Sequence, residues 1–514
     1  MELSILTIAV STIFTTHVFL CLLLLRTQDE REPPMVAATI PFISPLIGLS
    51  KKNAFYIGIR DKFHLPIVTL RLPFSRIYII NSTNLIPITQ RQHKILSFKP
   101  VESLGVIKLV AASKEADEIL KEERDGVAFA YMAAFDKAMH PALSPGPGLD
   151  AVNRDAVNIL NSSLAKIGSG GSQPIKMFDW IKGEISWATT EAVFGPQNPY
   201  RDPKMLEDFW AFDKGFIVLI LQIFPRLFAR KAIQARERLV VAMERYIRNG
   251  GHEQGSALIK ARVHHSLNWN IPINDIARFE IGGSFAILPN SVFSSFWLVW
   301  HIFSDARVLR EIREELGRHV TVGPEGNTID MSDVKANCPI LLSTFQEVLR
   351  YRSSGTSVRI ALEDHLLAGQ YLIKRGSTIM IPSAVQHSEK DVWGSTVLEF
   401  DHTRFIRSPG KQRFNPVAFR GFGGGTTLCP GRHFASTEIL AFAALVTLQF
   451  DVEPVSGSWV QPTTKKAGSH VAIPGPDEDI DIRLSRRGEE KKWRVLLSGS
   501  EKGLDLVAED MAEK

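Results

Sequence analysis

The chain has 514 residues, beyond the roughly 250–300 that one hydrophobic core ordinarily supports, so it holds either several domains or one large domain built around a bulky buried group. With 45% hydrophobic and 22% charged residues it fits neither a disordered chain nor a polytopic membrane protein. The net charge of +5 comes from scattered Lys and Arg without an aromatic-interleaved basic stripe, which argues against nucleic acid as a partner, and three cysteines without a Cys-x-x-Cys pair argue against a disulfide framework or a zinc site.

Residues 3–25 contain no Asp, Glu, Lys or Arg. At ~1.5 Å per residue a helix of that length spans the ~30 Å hydrocarbon core of a bilayer. Acidic Glu2 replaces the basic start of a signal peptide, and Leu22 to Leu25 runs directly into Arg26, so residues 1–26 are expected to be a retained transmembrane anchor. Pro33-Pro34, Pro41 and Pro45 then make residues 27–50 a stiff proline-rich linker. Ile67 to Leu70 and Ile77 to Ile80 read as short strands separated by Pro73. Helical periodicity dominates from Lys114 to Arg318, including Ala235 to Arg248 and a long apolar helix, Ala277 to Phe303, interrupted at Pro289. Leu367 to Ile373 and Thr378 to Ile381 read as strands, Arg432 to Leu448 as a helix and Ile480 to Leu484 as a strand. Residues 487–514 form a charged tail that is expected to fray.

Two motifs carry chemistry. Glu347-Val348-Leu349-Arg350 places a carboxylate and a guanidinium at i and i+3 on one helix face, 82 positions before Cys429 (429 − 347). Taken alone, such a pair also reads as a solvated surface pair contributing ~0–1 kcal/mol. The second motif, Phe422-Gly423-Gly424-Gly425-Thr426-Thr427-Leu428-Cys429-Pro430-Gly431-Arg432, is a glycine-rich loop delivering one thiol to a helix start. Pro430 suits the first helical position, where its missing N–H has no intrahelical partner. Because a helix N-terminus favours negative charge, the Cys429 thiol is expected to have a lowered pKa and to serve as a thiolate. The loop lacks the Gly-Lys-Ser/Thr ending of a phosphate loop, and it does not follow a strand as a dinucleotide fingerprint does. A merely structural buried cysteine leaves its glycines unexplained.

Phe422, Gly425, Cys429 and Gly431 match the pattern Phe-x-x-Gly-x-x-x-Cys-x-Gly, and from the anchor onward the chain resembles the cytochrome P-450 family. The resemblance implies a mainly α fold with a smaller β-rich lobe, residues 51–486, packed around heme b with Cys429 as the axial iron ligand. Phe422, Gly425 and Gly431 would border the heme, the glycines letting backbone approach a flat macrocycle. Arg359 stands where the family commonly binds a heme propionate, a contact suited to a bidentate guanidinium, with an exposed strand arginine as the alternative. Thr427 replaces an Arg or His that serves the same purpose in many members. Phe400-Asp401-His402-Thr403-Arg404-Phe405 resembles the meander segment Phe-x-Pro-x-Arg-Phe, with His402 in place of proline. Arg404 would thus complete a Glu347–Arg350–Arg404 network that governs heme retention. His387 and Trp393-Gly394 are read as structural, and His140 as a loop histidine.

The central helix departs from the family's Ala-Gly-x-Asp/Glu-Thr-Thr pattern: Pro289 stands at the acid position, Asn290 at the threonine, and Ser291 follows. Asn290 and Ser291 are the catalytic candidates, an amide being able to orient water though not to act as a general acid; the alternative is that Asn290 merely satisfies backbone freed by the proline. The run Asn290 to Trp297 resembles the branch containing sterol 7α-hydroxylases and prostacyclin synthase. The implied function is a monooxygenase inserting one oxygen atom from O2 into a sterol, terpenoid or other lipophilic secondary metabolite. Electrons would come from NADPH through a membrane-bound reductase at the endoplasmic reticulum, with the catalytic domain on the cytoplasmic side. Two other readings stand beside it, an O2-independent isomerase or dehydratase and a catalytically silent heme-thiolate binding protein.

Overall fold

The apolar run at the N-terminus forms one helix, Glu2–Thr27, with Ile13 and Phe14 among its exposed side chains. It is long and apolar enough to cross a membrane. The computed structural model describes all residues except 1, 168–172, 408–413, 469, 489–490, 500–505, 508–509 and 511–514. The chain divides into two units: residues 1–101, 354–398 and 414–428 form the first, and residues 102–353, 399–413 and 429–514 the second.

The first unit is built on a five-stranded sheet in the order Ile67–Leu72, Ser75–Ile80, Thr378–Pro382, Thr356–Ala361, Leu96–Ser97. Its side chains alternate between two faces, as the period-2 geometry of a strand requires. Ile67, Tyr78, Ile80, Ile379 and Ile381 enter one apolar cluster, and Val68, Leu70, Ile77 and Ile79 enter another. Both faces are therefore covered, which explains why apolar side chains fall on both faces of these strands. The expected strand Leu367 to Ile373 is instead a hairpin, His365–Leu367 with Tyr371–Ile373, because Ala368 and Gly369 take left-handed backbone angles and reverse the chain.

The proline segment, expected to be a stiff linker, pairs with the first strand of the sheet. Val36 N–H donates to Thr69 O at 3.0 Å and Thr69 N–H to Pro34 O at 2.8 Å. Glu32 is buried, accepts from Tyr78 Oη at 2.7 Å and forms an ion pair with Arg76, whose Nε lies 3.0 Å away. Arg71 and Arg76 also donate to Thr27 O, at 3.1 and 2.7 Å, placing cations at the negative end of the N-terminal helix.

The second unit is mostly helical, with two small sheets. The long apolar helix is longer at its start than expected and is split in two, Ile273–Ile287 and Pro289–Phe303. The break falls at Leu288, since Pro289 has no N–H to continue the ladder. Pro289–Phe303 is almost wholly buried and packs on the helices Met177–Phe194 and Arg432–Gln449. The tail beyond Arg486 departs from expectation: Trp493–Leu496 is a strand paired in parallel with Gly326–Asp330, and Leu506, Val507 and Asp510 are buried. Backbone pairing thus anchors a segment whose composition suggested fraying.

Within the helix Arg432–Gln449, Glu438 is fully buried and accepts from Thr189 Oγ1 at 2.7 Å. Burial pushes its pKa up to about 8. Its folded pKa lies above its unfolded value, so the neutral acid stabilises the fold at low pH and that stability is lost as pH rises toward 8. The slope is at most ~1.4 kcal/mol per pH unit across that window. Glu438→Gln is expected to flatten the decline in Tm between pH 5 and 8, which thermal unfolding at several pH values will check.

Candidate active site

In the first unit, the glycine loop is shaped by left-handed turns at Gly423 (φ 80°) and Gly425 (φ 57°). A Cβ at Gly423 would sit 2.6 Å from Thr427 O, and one at Gly425 would sit 2.7 Å from the Gln90 side chain. Both positions therefore demand glycine on local grounds. The turn Gly425–Thr427 closes through Leu428 N–H to Gly425 O at 3.0 Å, and Thr427 Oγ1 donates to Gly424 O at 2.9 Å. Thr427 is thus committed to the loop's own geometry. Phe422 and Gly425 lie in the same loop.

Arg420, which sequence reasoning missed, is buried beside this loop. Its backbone N–H donates to His387 Nε2 at 2.7 Å, and a Cβ on Gly424 would lie 2.4 Å from its Nη1. A signal was available, since an arginine two residues before the motif's phenylalanine is the nearest cation preceding the loop. His387 also stacks on Phe419, and Trp393 Nε1 donates to Gln386 O at 2.8 Å.

Arg359 is 1% exposed on the strand Thr356–Ala361. Its Nε, Nη1 and Nη2 are all buried without a hydrogen-bond partner among the described residues. Burial lowers its pKa to about 10. The alternative of an exposed strand arginine is thereby set aside. Buried guanidinium groups are ordinarily paired, so this one fits an anionic group such as a carboxylate.

In the second unit, Cys429 opens the approach to the helix Arg432–Gln449, with Arg432 N–H donating to Cys429 O at 3.4 Å. The helix begins at Arg432, so Pro430 lies in the preceding turn, short of the first helical position expected for it. The thiol pKa is raised, contrary to expectation: burial is the largest influence, and a Gly431 N–H bond and the Arg432 charge oppose it only in part. A Cβ at Gly431 would meet nothing within 4 Å among the described residues, so the backbone is open there on that side. Cys429 is partly exposed as a residue, and a free thiol beside open backbone fits a planar group bearing a metal.

Glu347, Arg350 and Arg404 come together in the second unit, at 0%, 3% and 8% exposure. Arg350 Nε and Nη2 reach the two Glu347 oxygens at 2.7 Å each, and Arg404 Nε donates to the same oxygens at 3.1 and 3.2 Å. Asp401 N–H adds a bond of 3.0 Å to Glu347 Oε1, while Arg350 Nη2 and Arg404 Nη2 converge on Glu399 O at 3.2 and 3.1 Å. His402 Nε2 donates to Glu311 Oε2 at 2.7 Å, tying the meander to a further helix. The surface-pair alternative for Glu347 and Arg350 does not describe this cluster.

Ser291 is buried, and Asn290 Oδ1 accepts from the backbone N–H groups of Ala472 and Ile473 at 2.9 and 3.4 Å. Asn290 therefore braces a distant loop, and these bonds do not go to the carbonyl freed by Pro289. His140, expected in a loop, is exposed in the last turn of the helix Ala130–Leu143 and bonds Ser144 Oγ at 3.1 Å.

Comparison with known proteins gives this geometry its context. Residues 290–478 match the family description Cytochrome P-450. The chain is 35% identical over 494 residues to Cytochrome P-450 monooxygenase nodJ of Hypoxylon pulicicidum, covering 92% of this chain and 95% of that protein. It is 22% identical over 502 residues to Cytochrome P-450 7B1 of Mus musculus, with 92% and 94% covered. It is 26% identical over 298 residues to the Cholesterol 7-alpha-monooxygenase of Cricetulus griseus, with 54% and 58% covered. With a near full-length relative at this identity, the chain belongs to the cytochrome P-450 family, in relationship to its 7α-hydroxylase-like members, and is an oxidoreductase that incorporates oxygen.

Proposed function

We propose that this protein is a membrane-anchored heme-thiolate monooxygenase acting on a lipophilic substrate such as a sterol, terpenoid or other secondary metabolite. The observation that carries the reading is Arg359, a buried guanidinium without a partner among the described residues, together with a sulfur ligand on a glycine loop. Cys429 would hold the iron of heme b, Arg359 would bind a propionate, and Phe422, Gly425 and Gly431 would border the ring. When bound, the heme supplies dioxygen activation, with the thiolate raising electron density at the metal. Glu347, Arg350 and Arg404 keep the chain that carries the ligand in register. Asn290 holds the Ala472–Ile473 segment and orients water through its amide N–H2, and Ser291 shares proton delivery. In the overall reaction one oxygen atom enters a C–H bond and the other leaves as water, with two electrons from NADPH through a reductase and two protons. Residues 3–25 anchor the protein in the endoplasmic reticulum membrane, with the catalytic domain on the cytoplasmic side. A sterol-sized substrate is in keeping with the relative named Cholesterol 7-alpha-monooxygenase.

The test is NADPH-dependent oxygen consumption by the holoenzyme, reconstituted with a P-450 reductase and a panel of sterols and terpenoids. Substrate-stimulated consumption with an oxygenated product is expected. Peroxide rearrangement or dehydration without NADPH would assign the O2-independent chemistry that the missing acid–threonine pair favours. Heme binding with no turnover across the panel would leave a silent binding protein.

Arg359 supplies an independent check. Arg359→Met removes a buried unpaired charge, so the heme-free protein is expected to gain about 1–3 kcal/mol in stability. The heme-loaded protein should lose heme faster. Urea unfolding of both forms, with heme transfer to an acceptor protein, will show the opposite signs; equal signs would refute the propionate role.

A further inference from the structure

We infer that Asp510, in the C-terminal tail, is a positioning residue for the Cys429 segment and acts through Arg432; this rests on Cys429 being the iron ligand. Arg432 is the first residue of the helix Arg432–Gln449, whose first turn contains no acidic side chain. A cation at the positive end of a helix is unfavourably placed. Asp510, 78 residues further on, supplies the missing negative charge: Arg432 Nη2 and Nε donate to its Oδ1 at 2.6 and 3.0 Å. The same guanidinium turns its Nη1 to Cys429 O at 3.3 Å. One side chain thus joins the tail to the peptide of the ligand residue.

The tail is built to present this carboxylate. Asp510 Oδ2 accepts from Leu506 N–H at 3.1 Å, and Leu506 and Val507 are 0% and 1% exposed. Upstream, the Trp493–Leu496 strand, Ser498 N–H to Asp330 Oδ1 at 3.3 Å and Ser498 Oγ to Asp330 Oδ2 pin the tail a second time. Both side chains of the pair are shielded, Arg432 at 16% and Asp510 at 7% exposure. His433 Nε2 lies 3.9 Å from Asp510 Oδ1, and burial holds its pKa at about 4, so it adds no competing charge near neutrality. Without Asp510 nothing in its own first turn would keep Arg432 over the Cys429 carbonyl.

The experiment follows the lifetime of the long-wavelength Soret band of the reduced, carbon-monoxide-bound holoenzyme, alongside Tm, in Asp510→Asn, Arg432→Ala, the double variant, Ser498→Ala and Cys429→Ala. Asp510→Asn is expected to shorten the band's lifetime about tenfold, and the double variant should be no worse than Arg432→Ala alone. Ser498→Ala, which loosens the tail away from Arg432, should lower Tm and leave the lifetime unchanged. A wild-type lifetime in Asp510→Asn, additive effects in the double variant, or equal shortening in Ser498→Ala would each overturn the positioning role. Cys429→Ala separates the two claims, because a long-wavelength band that survives there refutes the ligand assignment itself.

Discussion

In a Cys429→Ala variant the reduced carbon-monoxide complex is expected to lose its long-wavelength Soret band, and oxygenation should fall by more than about 10³-fold. The argument starts from the thiol's surroundings. Burial raises its pKa, and one Gly431 N–H bond with the Arg432 charge does not reverse that. On the proposed reading, the charge of the bound iron would favour the anionic sulfur that burial disfavours. Alanine removes the only side chain in this loop capable of donating a charged sulfur, and no other residue of the Gly423–Gly431 stretch is a metal ligand by type. Spectra of variant and wild type at equal folded concentration will check this. Heme absent from well-folded wild-type protein would require the loop to be read as structural.

Replacing Glu347 with alanine is expected to cost about 3–5 kcal/mol of stability and most of the bound heme. Glu347 accepts from Arg350, Arg404 and Asp401 N–H while fully buried, so its removal takes the shared carboxylate from two buried guanidinium groups. Glu399 O, which accepts from both, is neutral and cannot replace a carboxylate. The urea midpoint should drop with the slope unchanged, and heme content per folded protein should fall with it. Substituting all three residues with apolar side chains of similar volume should restore much of the stability, because the cost lies in the uncompensated charges. Heme loss that persists in that triple variant would assign the network a role in holding the cofactor segment; full recovery would make it a stability element.

Local pattern made several features legible. The N-terminal helix follows from an uncharged apolar stretch, the sheet strands from β-branched alternation between turns, and the break near Leu288 from a proline that cannot donate. The cysteine loop was equally readable, because its glycines and its thiol sit within a few residues of one another. Glu347 and Arg350 were placed on one face by helical spacing alone, while their third partner, Arg404, came from the resemblance.

What sequence left open depends on segments far apart in the chain. The raised pKa of the Cys429 thiol is set by desolvation, which no local motif encodes. The burial of Arg359, the bracing of residues 472–473 by Asn290 and the docking of the proline segment along Thr69 each join segments by long-range hydrogen bonding or packing. The tail shows the contrast best: its composition says charged and loose, yet strand pairing with Gly326–Asp330 and the Asp510–Arg432 pair tie it down. By itself the sequence determined periodicity and turn chemistry and singled out the cysteine proposed as ligand, because these are properties of neighbouring residues. Only the tertiary structure decided burial, charge state and long-range partners, because the energy of a polar group depends on which distant segments displace its water.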